Sequence, residues 1–181
     1  MFEKSNNSSE KETLILNLFF QNPTKRFNIR EISRLIRIAP STVSIYVKKL
    51  SKKGFIKEEK IGKFTYFTAD IENEDFIFEK KIYNLKIIRD SELIKYLSSL
   101  YSPETIILYG SFARGQDIEE SDIDIAIINP YKRKIQNLKK YESKLGRKIH
   151  TLEIKDISKI KHELLINIIN GIIIYGKLKW F

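Results

Sequence analysis

In the stretch LYGSFARGQDIEESDIDIAIINP, residues 108–130, Asp122 and Asp124 flank Ile123 at the head of the apolar run Ile125-Ala126-Ile127-Ile128. A buried strand excludes unpaired charge, so these carboxylates need a physical reason. In a strand, residues i and i+2 share a face, which sets the two aspartates on one side, about 6.6 Å apart along the chain, while Ile123 and Ile125 turn to the core. Side by side they repel each other, and a divalent cation removes that objection. Hard oxygen ligands suit Mg²⁺, which keeps several waters and bridges protein carboxylates to phosphates. Upstream, TIILY (residues 105–109) reads as a buried strand that runs directly into Gly110 and Ser111. A glycine at a strand end lets backbone approach a ligand. A serine opening the next helix sets a hydroxyl beside free backbone N–H groups, which suits phosphate. Metal on one side and a phosphate cradle on the other point to phosphoryl chemistry. The bland alternative, a capped helix and an edge strand with solvated aspartates, needs all these elements to coincide by chance.

Gly110-Ser111, ten residues, then Asp122-x-Asp124, with the wording YGSFARG and SDIDIAI, resembles the signature of the polymerase-beta-like nucleotidyltransferase superfamily, in particular its minimal members, over roughly residues 91–178. The resemblance implies Mg²⁺ on Asp122 and Asp124, an NTP (ATP first among them), and displacement of pyrophosphate by an acceptor hydroxyl. It casts Gly110 and Ser111 as phosphate-holding residues. Arg114 is either a charge stabiliser or a surface salt-bridge partner. Members of the superfamily take a third carboxylate from a neighbouring strand, and the candidate strand is KIHTLEI (148–154). The context Leu152-Glu153-Ile154 points to Glu153, whereas the spacing from LGRK points to His150, and these two lie on opposite strand faces. Glu153 is the favoured catalytic and metal-binding choice, because a hard cation prefers carboxylate to imidazole. With His150 in that place the third acid is missing and activity is in doubt. Otherwise His150 is a half-buried strand residue with a hydrogen-bond partner and His162 a helix-surface residue; two histidines make no cluster for zinc. Some minimal nucleotidyltransferases are antitoxins that attach AMP to a partner HEPN-domain toxin, so the resemblance admits a partner protein as acceptor.

The elements before this site form another pattern. ETLILNLFF (12–20) reads as an amphipathic helix, and NIREISRLI as a second, with Asn28 as N-cap and Glu31 three residues on. In the third, Val43, Val47 and Leu50 make one buried stripe, and the helix stops near Gly54. FIKEEKIGKFTYFTA then reads as a hairpin about Ile61-Gly62-Lys63. Three short helices and a hairpin, with APSTVSIYVKKLSKKGFI as the third helix, resemble a winged helix-turn-helix. Its outward face carries Ser41, Thr42, Ser44, Ile45, Lys48 and Lys49, with Lys60 and Lys63 flanking the wing tip; the resemblance makes Ser41, Thr42, Ser44, Lys48, Lys49 and Lys63 the candidate contacts to double-stranded DNA. The competing use is a winged helix for dimerisation or protein contact, its lysines solvated. Residues 71–101 read as one helix, or two broken near Arg89-Asp90-Ser91. Residues from Asp156 to Gly171 read as a helix and IIIY as a last short strand; Trp180 and Phe181 would cap the core or a subunit contact.

The expected fold is therefore α+β: a winged helix-turn-helix at 8–70, a helical connector at 71–90, and a nucleotidyltransferase domain with a mixed sheet at 91–181. Charge agrees with a polyanionic partner. The chain carries a net charge of +10, and residues 1–70 hold 14 Lys and Arg against 7 Asp and Glu. The absence of cysteine excludes a disulfide framework and thiol catalysis. The polar start lacks a signal peptide's apolar core and no apolar run spans a bilayer, so a cytoplasmic protein with no membrane partner is expected. Winged helices commonly bind paired half-sites, which predicts a homodimer. Two functional readings remain. One is a Mg²⁺-dependent transfer of a nucleoside monophosphate to an unknown acceptor hydroxyl, coupled to DNA binding. The other is a transcriptional regulator whose nucleotidyltransferase fold binds nucleotide without turnover.

Overall fold

The computed structural model describes residues 3–131 and 137–178, so Trp180 and Phe181 lie outside the described residues. By its internal contacts the chain divides into two units, Met1–Glu79 and Lys80–Phe181. The first contains α1 (Glu3–Gln21), α2 (Ile29–Ile36), α3 (Pro40–Lys52) and a hairpin of β1 (Ile56–Ile61) and β2 (Phe64–Ala69). The Asn28 side chain caps α2 by accepting the Glu31 N–H at 2.9 Å. Pro40 opens α3, where a missing N–H costs nothing. Val43, Val47 and Leu50 are all fully buried. Each contributes roughly 1.5–3 kcal/mol relative to an exposed side chain. They join Ile15, Phe19, Phe27 and Phe67 in this unit's core. Phe27 and Phe67 exchange backbone hydrogen bonds of 2.9 and 2.8 Å, tying the loop before α2 to the hairpin. The hairpin turns at Gly62-Lys63, with Gly62 at φ 59°.

A long helix, α4 (Glu74–Ser91), begins in the first unit and ends in the second. Glu92 at φ 65° breaks it from α5 (Leu93–Tyr101). The remaining elements are β3 (Thr105–Tyr109), α6 (Gly110–Arg114), β4 (Ile123–Ile128), α7 (Lys139–Leu145), β5 (Ile149–Ile154), α8 (His162–Ile169) and β6 (Ile172–Gly176). The sheet order is β5-β4-β3-β6, with β4 and β5 parallel and the other pairs antiparallel, so the sheet is mixed. Ile123, Ile125 and Ile127 pack on one face with α5 residues Leu93, Leu97 and Tyr101. Ala126 and Ile128 pack on the other with Ile154 and Ile168. Alternation along β4 thus fills a core on both faces, and Asp124 shares its face with Ala126 and Ile128.

Two elements differ from expectation. Helix α7 has no counterpart in the sequence reading. The helix expected from Asp156 to Gly171 is a 3-10 turn, Ile157–Lys159, followed by α8. Asp156 caps the 3-10 turn, accepting both the Ser158 N–H at 3.0 Å and the Ser158 hydroxyl at 2.6 Å, and the chain then runs extended through Ile160 and Lys161 before α8 begins. Among the described residues no helix is long and apolar enough to cross a membrane.

Candidate nucleotide site and nucleic-acid interface

The site is built where β3 ends. Tyr109, the last residue of β3, pairs with Asp124 of β4, and Asp124 pairs with His150 of β5. Cross-strand partners share a face, so Tyr109, Asp124 and His150 form a row across the sheet. Gly110 follows at φ 78°, and a Cβ there would overlap the Asp124 carboxylate. Only glycine combines that turn with that close approach. Helix α6 spans five residues and its first turn carries Ser111. A helix so short adds little dipole, and what it offers a phosphate is its free amides and the Ser111 hydroxyl.

Burial pushes the Asp124 carboxyl above the usual range, His150 pulls it back and the Asp122 charge adds to the rise. Burial, with help from Asp124, likewise raises the Tyr109 phenol. Asp122 stands one residue before β4, with His150 Nε2 3.6 Å from its Oδ2; the two side chains are 36% and 64% exposed. Among the described residues no three His, Cys, Asp or Glu side chains group to hold a metal ion by themselves. The donor set still fits Mg²⁺, which commonly takes one or two protein carboxylates and completes its shell with water and substrate phosphate.

The register separates the two candidates for the third residue. Glu153 pairs with Ile127 and lies on the opposite face from Asp124, whereas His150 stands beside the aspartates. A parallel register is set by packing far from the residue itself, and the acid-flanked-by-apolar context of Glu153 carried no information about it. Arg114 is exposed, and its Nε donates to Gln116 Oε1 at 2.8 Å rather than reaching toward the aspartates. His162 is exposed at the start of α8.

In the first unit, Ser41, Ile45 and Lys48 are exposed on α3, with Thr42 and Ser44 half-buried. Lys49 is engaged elsewhere: it and Lys53 reach Glu12 of α1 at 2.5 and 2.6 Å. Burial works to raise the Glu12 carboxyl, but the hydrogen bonds from Lys49 and Lys53 outweigh it and hold it below the usual range. Lys60 is exposed on β1, and Lys63 is exposed at the hairpin turn. Lys63 lines a groove of about 720 Å³ with Arg30, Arg34 and Phe64. Sequence reasoning overlooked the two arginines, although their i, i+4 spacing on α2 was a usable signal.

Residues 91–179 match the family model described as polymerase beta, nucleotidyltransferase, and residues 9–57 match the one described as winged helix-turn-helix DNA-binding. The chain is a fusion of these two families. None of the curated proteins compared with it matches the chain. The nucleotidyltransferase match contains the whole row from Tyr109 to His150, and the winged-helix match contains α2, α3 and the groove arginines but stops before the wing tip. The α+β fold and the mixed sheet of the nucleotidyltransferase domain agree with the sequence reading.

Proposed function

We propose that the chain is a DNA-binding regulator whose nucleotidyltransferase domain binds a nucleoside triphosphate, ATP first among them, with Mg²⁺ on Asp122 and Asp124, and does not turn it over. The observation that carries this reading is the pairing of Asp124 with His150. An imidazole in that place leaves two carboxylates and no third acid to hold metal or take the acceptor proton. When bound, Mg²⁺ supplies positive charge against the triphosphate. The chain's own residues do the rest: Asp122 and Asp124 hold the ion, Ser111 and the amides after Gly110 hold phosphate, and Gly110 leaves room for the Asp124 carboxylate. Nucleotide occupancy then biases DNA binding by the winged helix, in the cytoplasm. The winged helix acts as a homodimer on paired half-sites; a monomer by light scattering at working concentration would sink that part.

A second reading has its own observation. His150 is well exposed and 3.6 Å from Asp122, which suits a general base that takes the proton of an acceptor hydroxyl, including one on a partner protein as in an antitoxin. Pyrophosphate release from each NTP, with total cellular protein and RNA as acceptors, separates the two. The regulator reading expects release by the wild type no faster than by Asp122→Asn/Asp124→Asn, and a gain in His150→Asp. Release by the wild type that His150→Ala abolishes establishes the transferase instead.

A further inference from the structure

A buried ionic cluster outside the nucleotide site holds the loop that joins its two halves. Lys80 and Asn84 of α4 are 1% and 2% exposed, and Asp117, in the loop between α6 and β4, is 2% exposed. Asp117 Oδ1 receives Lys80 Nζ at 3.0 Å and the Asn84 amide at 2.7 Å, while Oδ2 faces Arg147 at 3.3 Å. The same donors also take backbone: Lys80 Nζ donates to the Asp117 carbonyl, Asn84 to the Phe112 carbonyl at 2.9 Å, and Arg147 to the Ile118 carbonyl. Burial pulls the Lys80 ammonium below its usual range against the opposing pull of Asp117. Burying an ammonium is unfavourable, and a core of this kind is often at least as stable with apolar residues of the same volume. The cluster therefore needs an explanation other than stability. Its targets give one, because carbonyls 112, 117 and 118 belong to the segment that runs from Gly110-Ser111 to Asp122.

We propose that Lys80, Asn84 and Arg147 are positioning residues for the nucleotide site, fixing the 112–118 segment so that the Gly110-Ser111 cradle and Asp122 stand at one set separation. This rests on the reading that those residues bind a metal-nucleotide. None of the three touches the ligand; they act through Asp117 and the loop carbonyls, as outer partners orient metal ligands elsewhere.

The test uses the full chain with Lys80→Met and the milder Arg147→Gln, whose position is 8% exposed and nearer solvent. Two readouts are taken: amide hydrogen exchange, and the dissociation constant for Mg²⁺-ATP, or for the NTP that most stabilises the wild type. Exchange over residues 111–122 accelerates while that of α7 and β6 keeps its wild-type rate, and the nucleotide dissociation constant rises on the order of 10-fold to 100-fold. A uniform rise in exchange across residues 80–178 with unchanged nucleotide affinity overturns the proposal and leaves the cluster a structural one. If the wild type binds no nucleotide, the functional reading fails by itself. The exchange pattern then still decides whether the cluster fixes the 112–118 segment: local acceleration supports it and uniform acceleration overturns it.

Discussion

Asp124 shows how much of the site's chemistry is set by single residues. It sits between Tyr109 and His150 in the sheet, its carboxyl raised by burial and by Asp122, with no protein cation other than a protonated His150 in its cross-strand row. A folded-state pKa above the unfolded one means the folded state binds more protons, so the ionised aspartate costs stability above that pKa, and the cost disappears as pH falls below the ordinary aspartate range. Asp124→Asn is therefore expected to raise the melting temperature of the ligand-free protein at pH 7. The gain corresponds to less than about 1 kcal/mol because the group is part-exposed and screened. It should fade as pH is lowered from about 7 to about 4. Thermal unfolding of both proteins across that range checks it; a lower melting temperature for the variant at pH 7 contradicts the account. What was legible in sequence was local, the alternation that sets Asp124 on the face opposite Ile123 and Ile125 and the turn at Gly110. The neighbour His150 was legible only as one of two choices, since nothing local fixes which residue of β5 meets Asp124.

At the scale of elements, α3 and α4 show two kinds of legibility. The stripe Val43, Val47, Leu50 has the helical period and is buried as read. Lys48 and Lys49 were read together on the outward face, yet Lys49 turns back to Glu12 and Lys48 does not share that ion pair. Lys48→Ala is expected to reduce the slope of log affinity against log salt for DNA by about 0.9, one phosphate contact. Lys49→Ala should reduce it by less. Equal losses in a salt titration of binding contradict the division of roles. Helix α4 carried a signal that went unread: Phe76, Lys80, Asn84 and Ile88 fall at successive i+4 positions and all are buried. A lysine and an asparagine on an apolar stripe announce a buried polar cluster. Their partner Asp117, 37 residues beyond Lys80, has no such local mark. Helix α7 left a fainter trace, since KKYESKL offers only Tyr141 and Leu145 to the core and buries neither fully.

For the molecule as a whole, one chain joins a winged helix-turn-helix DNA-binding domain and a nucleotidyltransferase domain. Both families were legible because each is marked by short local patterns, Asn28 to Leu50 in one and Gly110 to Asp124 in the other. What long-range register decides, above all which residue of β5 stands beside Asp124, was not. The central claim is that Asp122 and Asp124 hold Mg²⁺ with a triphosphate. The direct measurement is thermal stability with each NTP, with and without Mg²⁺, for the wild type and for Asp122→Asn/Asp124→Asn. At 100 times its dissociation constant a ligand adds about 2.7 kcal/mol to the native state. The account predicts stabilisation of the wild type by at least one NTP, lost without Mg²⁺ and lost in the double variant. No stabilisation by any NTP, or one that survives in the double variant, would contradict it.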